Sequence, residues 1–303
     1  MHFEHYRAAL AAIGREISPA ALMATRNLVT HLHGLTPAGD INVIRDLAYG
    51  PYERNRLDIF SAAIDPDTSR PVLVFVHGGG FIAGDKHTEG SPFYSNIGQW
   101  AVRNGFNAVT ITYRLAPKDQ WPSGVEDLRL LVDFLQRNGA ALGIDASRLF
   151  LMGQSAGAAH IASYIAHSNL YAPKTAGVRG VILLSGIYDF AAMPPSPMES
   201  AYLGADRSVY PSRSSLAGLA ATDVPLMVTL AEYDPPHFEQ QALVLLDAVQ
   251  RSKGRLPRFV HALGQNHLSV ALYLGLSGDL VGSQIKSFVD EHQKTDASQS
   301  CSP

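Results

Sequence analysis

Ser155 lies between two glycines in Gly153-Gln154-Ser155-Ala156-Gly157, after the apolar run Leu149 to Met152 and before AGAAHIASYIA. An apolar strand, a serine flanked by small residues and a helical pattern together describe a tight strand-to-helix turn that lifts a hydroxyl above a sheet. Such a hydroxyl is a candidate nucleophile for acyl transfer. That chemistry needs a base, a carboxylate to orient the base, and donors for a developing oxyanion. The run PVLVFVH (71–77) leads into Gly78-Gly79-Gly80-Phe81, where three glycines leave backbone N–H groups unobstructed, and the N–H of Ala156 is a further donor. The run PLMVTLA (225–231) ends in Glu232-Tyr233-Asp234-Pro235, and PRFVHAL (257–263) leads to Gly264-Gln265-Asn266-His267. His267 is therefore the candidate base and Asp234 its carboxylate. A phosphate-binding reading of the glycines is disfavoured, because GGGFIAGDK has neither Walker A spacing nor the G-x-G-x-x-G pattern.

Other residues compete for these roles. Glu232 could serve as the carboxylate, but it lies two residues nearer the strand, and Asp234 at the loop tip is preferred. His160 reads as a surface or packed residue of the helix that follows Ser155, and His77 as a brace for the glycine loop. His31, His33 and His237 lack the H-E-x-x-H spacing and a third ligand nearby, so they read as ordinary surface histidines and no metal is expected.

The elements that must position these groups follow from the apolar pattern. Six short runs, at 71–77, 107–113, 148–153, 180–186, 225–231 and 257–263, are apolar on both faces and alternate with helical segments such as SGVEDLRLLVDFLQRNGAAL and HFEQQALVLLDAVQRSK. This rhythm predicts an α/β fold with a mostly parallel central sheet and helices on both faces. NVIRDLAY (42–49) and RLDIFSA (56–62) alternate polar and apolar and predict an antiparallel edge hairpin. Residues 1–40 hold two amphipathic helix candidates, the second started by Ser18-Pro19. Residues 187–223, rich in Pro, Ser, Met and Tyr, lack a regular helix pattern. Both regions are read as parts of a small cap over the C-terminal edge of the sheet, where α/β ligand sites lie. For 187–223 an irregular surface loop is nearly as good a reading. A polar tail closes the chain at about 293–303, and the whole is expected to be one domain.

Composition narrows the partners. The chain has 303 residues, 46% hydrophobic and 17% charged, with a formal net charge of −3. That balance argues against nucleic acid and an anionic membrane surface as partner and favours a small, fairly neutral ligand. Without a run of about 18 apolar residues, no stable insertion into a membrane is expected. The single cysteine, Cys301, lies in the polar tail without an intrachain partner, and the N-terminus has no long apolar segment, so a cytoplasmic location is expected. Homo-oligomerisation stays open.

With HGGGF, GQSAG, AEYDP and QNH in place, the sequence resembles the hormone-sensitive-lipase-like carboxylesterases of the α/β-hydrolase superfamily. Tyr113-Arg114-Leu115-Ala116-Pro117, followed by Trp121-Pro122 and Asp127, extends the likeness, which spans roughly residues 45 to 290. The order serine, acid, histidine is also that of this superfamily. The resemblance implies an α/β-hydrolase fold and two-step hydrolysis of small to medium carboxylic esters beneath a helical cap, without a cofactor. It makes Ser155 the nucleophile, His267 the general base and Asp234 its partner, with the N–H groups of Gly79, Gly80 and Ala156 as the oxyanion hole. The elbow departs from the family's usual form, with Gln154 in place of aspartate and Gly157-Ala158 in place of a double glycine. This variant is similar to arylformamidases, which cleave an N-formyl amide, so amide hydrolysis on the same triad is a second expectation. A small-molecule receptor of the same fold is a third, disfavoured by the intact triad and glycine loop. Met193, Met198 and Tyr202 are candidates to line an acyl pocket, with packing of cap to core at least as good a reading.

Overall fold

A computed structural model describes residues 3–33, 39–64, 67–167 and 177–293. The polar tail, apart from Gln293, lies outside the described residues, as do Cys301 and residues 34–38 of the N-terminal region. Eight strands form one sheet: β1 (Ile41–Ala48), β2 (Arg56–Ala62), β3 (Val72–Val76), β4 (Asn107–Ile111), β5 (Leu149–Gln154), β6 (Val178–Leu184), β7 (Leu226–Tyr233) and β8 (Arg258–Asn266). Their order is β1-β2-β4-β3-β5-β6-β7-β8, with β2 antiparallel to both its neighbours and every pairing from β4 onward parallel. The sheet is that of an α/β-hydrolase.

The period-two alternation of the strands sorts their side chains into two cores. Val72, Val74, Val76, Leu149, Leu151, Val181, Leu183 and Val228 face one layer, which contains α4 (Ser123–Asn138), α5 (Ala156–Ala166) and α9 (Pro236–Lys253). Leu73, Phe75, Phe150, Met152, Ile182, Leu184 and Met227 face the other, which contains α3 (Ser95–Arg103), α10 (Ser269–Leu272) and α11 (Leu280–His292). Because both faces are covered, the central strands read as unbroken apolar runs.

The N-terminal segment forms α1 (Phe3–Ile13) and α2 (Pro19–His33), the latter started by Ser18, whose Oγ accepts from the Ala21 N–H at 3.2 Å. Tyr6 and Leu10 of α1 and Val29 of α2 join the second core, and the Tyr6 hydroxyl donates to Gln265 at the end of β8. Between β6 and β7 the chain makes three short helices, α6 (Pro197–Leu203), α7 (Tyr210–Arg213) and α8 (Leu216–Ala221). Among the described residues no helix is long and apolar enough to cross a membrane.

The order β4-β3-β5 is what creates a site. From β3 the chain leaves to one side to form β4 and then crosses to the other side to form β5. The loops after β3 and β5 therefore diverge, and the crevice between them lies outside the C-terminal ends of the strands. The glycine loop follows β3 and Ser155 follows β5.

Candidate active site

Ser155 is the residue between β5 and α5, held at φ 55° and ψ −119°. A non-glycine residue there carries about 1–3 kcal/mol of backbone strain. Its N–H donates to the Leu184 carbonyl at 2.9 Å and its own carbonyl accepts from Ala159 at 3.0 Å, so both sides of the turn are fixed. Glycine at position 157 is a packing requirement, since a Cβ there would stand 2.1 Å from the Val76 carbonyl oxygen of β3. The closeness of β3 to the start of α5 is what brings the glycine loop beside the serine.

Asp234 and His267 meet across the ends of β7 and β8. His267 Nδ1 stands 2.7 Å from Asp234 Oδ1, and Asp234 is 0% exposed. The other carboxylate oxygen accepts from Ser185 Oγ at 2.6 Å and from the Ala231 N–H at 2.8 Å. An ionised aspartate only accepts, so the imidazole proton resides on Nδ1 and leaves Nε2 as the basic atom. The ring of His267 lies on Phe238 with centroids 4.3 Å apart. Among the described residues Glu232 makes no hydrogen bond to the histidine, whose Nδ1 partner is Asp234. The Glu232 carboxylate accepts from the Gly264 N–H at 2.5 Å and lies 4.0 Å from Arg7, joining the ends of β7 and β8.

Three supports escaped the sequence reading. Gln154, noted only as a departure from a family pattern, donates its amide to the His267 carbonyl at 2.8 Å and so ties the histidine loop to β5. Ser185 sits at the end of β6, beside β7, and its role depends on that adjacency. Arg15, just past α1, donates to the Asp234 carbonyl at 2.9 Å and also pairs with Glu239.

The glycine loop is shaped for donation. Gly79, Gly80 and Phe81 have φ values of 135°, 59° and 69°, and a Cβ at position 79 would meet the Ala83 carbonyl oxygen at 2.0 Å. The Ile82 and Ala83 N–H groups close the turn onto the Gly79 carbonyl. Among the described residues, neither the Gly79 nor the Gly80 N–H donates to a protein acceptor. Ala156 opens α5, so its N–H has no carbonyl one turn back. His77 braces the loop from beneath: Nδ1 donates to the Gly78 carbonyl at 2.7 Å, while the ring stacks on Tyr113, whose hydroxyl donates to the His77 carbonyl at 2.9 Å. The YRLAP segment is held by Arg114, which donates to both oxygens of Asp127, and Ala116 of that segment donates to the Phe81 carbonyl.

The segment between β6 and β7 covers this loop. Tyr202 of α6 stacks on Phe81 with centroids 4.6 Å apart and an interplanar angle of 3°, a contact worth about 0.5–1.5 kcal/mol beyond its buried area. The Tyr202 hydroxyl lies 3.3 Å from His160 Nδ1. Of the three acyl-pocket candidates, Met193 and Tyr202 are fully packed, whereas Met198 is 42% exposed and its sulfur lies over Gly80. His160 is the packed residue of its two alternatives. His237 is no ordinary surface histidine: it is half-buried and its ring lies against Phe238, the residue that carries His267. Burial lowers its pKa below the usual imidazole value. Among the described residues no group of three or more His, Cys, Asp or Glu is placed to hold a metal ion.

Burial lowers the pKa of His77 to about 4 and that of His160 to about 3. Both are neutral when folded, whereas in the unfolded chain each protonates near pH 6.5. Their stabilising contribution is therefore complete above pH 6.5 and is lost as pH falls toward the folded values, at up to about 1.4 kcal/mol per pH unit for each histidine. Urea midpoints taken between pH 7 and 5 should show this slope, and His160→Asn should reduce it by about one histidine's share; an unchanged slope would mean that His160 titrates normally in the fold.

A family model described as BD-FAE matches residues 57–243. Over 121 residues the chain is 36% identical to an isoprenylcysteine alpha-carbonyl methylesterase of Arabidopsis thaliana, covering 40% of this chain and 27% of that protein. It is 29% identical over 192 residues to an ethyl acetate hydrolase of Pseudomonas putida, covering 57% of this chain and 58% of that protein. The chain thus spans less than two thirds of the length of these curated relatives. Among solved structures, esterase B of Lactobacillus rhamnosis superposes with a TM-score of 0.75 at 17% identity over 97% of each chain. A thermostable esterase of Pseudomonas putida superposes with a TM-score of 0.69 at 21% identity, over 97% of this chain and 98% of the other. These likenesses bear on the fold.

Proposed function

Since the chain belongs to the BD-FAE family of hormone-sensitive-lipase-like α/β-hydrolases, we propose that it is a serine esterase acting on small to medium carboxylic esters through an acyl-enzyme. The observation that carries this reading is the 2.7 Å contact between His267 Nδ1 and a fully buried Asp234, formed at the sheet edge where a strained turn presents Ser155. The names of the relatives, methylesterase and ethyl acetate hydrolase, support the same bond type.

In the proposed reaction His267 Nε2 takes the Ser155 hydroxyl proton as Oγ attacks the ester carbonyl. The carbonyl oxygen becomes an oxyanion received by the N–H groups of Gly79, Gly80 and Ala156. The same imidazole then gives its proton to the departing alkoxide, leaving the acyl group on Oγ. Water enters, loses a proton to Nε2 and attacks the acyl carbon; Ser155 leaves with that proton and the acid is released. Asp234 holds the Nδ1 tautomer throughout and stabilises the imidazolium.

The test compares turnover of p-nitrophenyl butyrate, p-nitrophenyl octanoate and N-formylkynurenine, together with stoichiometric labelling by a p-nitrophenyl alkylphosphonate. Expected are ester turnover and one phosphonyl mass increment on the peptide that carries Ser155. A formamide rate exceeding both ester rates would move the assignment to amide hydrolysis on the same residues. Absence of both turnover and label would leave the receptor reading.

A further inference from the structure

Glu199, in the first turn of α6, is 8% exposed and its Oε2 is fully buried without a hydrogen-bond partner. Among the described residues its carboxylate makes no hydrogen bond or ion pair. Carboxylates are rarely buried unless paired, because the charge loses its hydration. Structural roles for such a group normally show as a cap, a salt bridge or a buried network, and Glu199 takes part in none.

Its surroundings place the carboxylate at the site. Met198, the preceding residue, lies over Gly80 of the oxyanion loop, and Tyr202, one helical turn on, stacks on Phe81 of the same loop. Glu199 therefore sits on the helix that covers the oxyanion loop. The pKa of His237 is lowered by burial and by His267, while the charges of Glu199 and Asp234 act to raise it. Among the described residues His237 makes no ion pair with Glu199, and burial is what lowers the pKa of that imidazole.

We propose that Glu199 is a specificity-determining carboxylate that receives a cationic ammonium group of the substrate beside the reacting ester, an inference that rests on the serine esterase reading. A neutral hydroxyl would supply one hydrogen bond and no charge. An ammonium supplies a charge complementary to a carboxylate in a place where water screens it weakly. The substrate class is then an ester with a positive charge in its acyl or alcohol part, and neutral esters of the same shape are the poorer substrates.

Choline butyrate and 3,3-dimethylbutyl butyrate have the same shape and differ by one charge. For the wild type the ratio of kcat/KM should favour the choline ester by about tenfold or more, and Glu199→Gln should lower that ratio by about tenfold or more. An equal loss on both esters would mark a merely structural residue and overturn the proposal. A selective loss on glycerol monobutyrate, with the choline ratio unchanged, would overturn it in favour of a hydroxyl-reading residue. If the wild type turns over neither ester, the esterase reading fails separately, and calorimetric binding of tetramethylammonium decides Glu199. Binding that weakens about tenfold in Glu199→Gln supports the cation site, and absent or equal binding overturns it.

Discussion

Ser155→Ala should lower kcat for p-nitrophenyl butyrate by about 10⁶-fold while leaving the thermal midpoint of unfolding close to that of the wild type. The size of the loss follows from what remains. Without Oγ, His267 has no proton to accept and the oxyanion donors have no covalent intermediate to stabilise, so only binding and the polarisation of the carbonyl by the glycine loop survive. The fold should scarcely notice. The Ser155 side chain makes no capping hydrogen bond to α5, so its removal orphans no partner. Alanine retains a Cβ, and the strain at φ 55° is present before and after the exchange. The hydrogen bonds that fix the turn, to Leu184 and from Ala159, are made by the backbone. Loss of activity with a retained midpoint is therefore the signature of a nucleophile. A variant that keeps a tenth of the wild-type rate would place the nucleophile elsewhere.

The parts of this site that were legible in sequence share one property: each breaks an apolar run. The glycine loop, Ser155, Asp234 and His267 all stand where a strand of the parallel sheet ends, and in such a sheet those ends lie on one edge. Strand positions were legible for the same reason, because burial on both faces leaves continuous apolar runs. The supporting residues could not be read this way. Ser185 reaches Asp234 only because β6 lies beside β7, and Arg15 reaches the same loop from the far end of the chain. Gln154 stands in the motif itself, yet its bond to the His267 carbonyl depends on where the β8 loop descends. Residues 187–223 defeated the helix pattern because α6, α7 and α8 have 7, 4 and 6 residues, too few turns for a 3.6-residue period to show. Glu199 and His237 were unreadable in kind, since burial of a polar residue is a tertiary fact.

Asp234→Asn should lower kcat/KM for the same ester by about 10⁴-fold, and Glu232→Gln should change it by no more than about threefold. The contrast rests on which atom the asparagine amide would occupy. The site of Oδ2 is surrounded by two donors, the Ser185 hydroxyl and the Ala231 N–H. The hydroxyl can rotate, but the backbone N–H cannot, so an NH₂ group placed there would face a fixed donor at hydrogen-bond distance. The amide nitrogen is therefore driven to the Oδ1 site, where it points at His267 Nδ1. A donor in that position requires Nδ1 to accept, and the imidazole proton moves to Nε2. Nε2 then has no lone pair for the Ser155 proton, and the base is lost although every heavy atom stays in place. Glu232 has no such leverage, because its carboxylate receives the Gly264 N–H and lies about 30% exposed beside Arg7. Gln at that position still offers an amide oxygen to Gly264. Collapse of activity in Glu232→Gln with a near-normal Asp234→Asn would exchange the two roles, and would require the ends of β7 and β8 to rearrange so that Glu232 gives up Gly264 for the histidine.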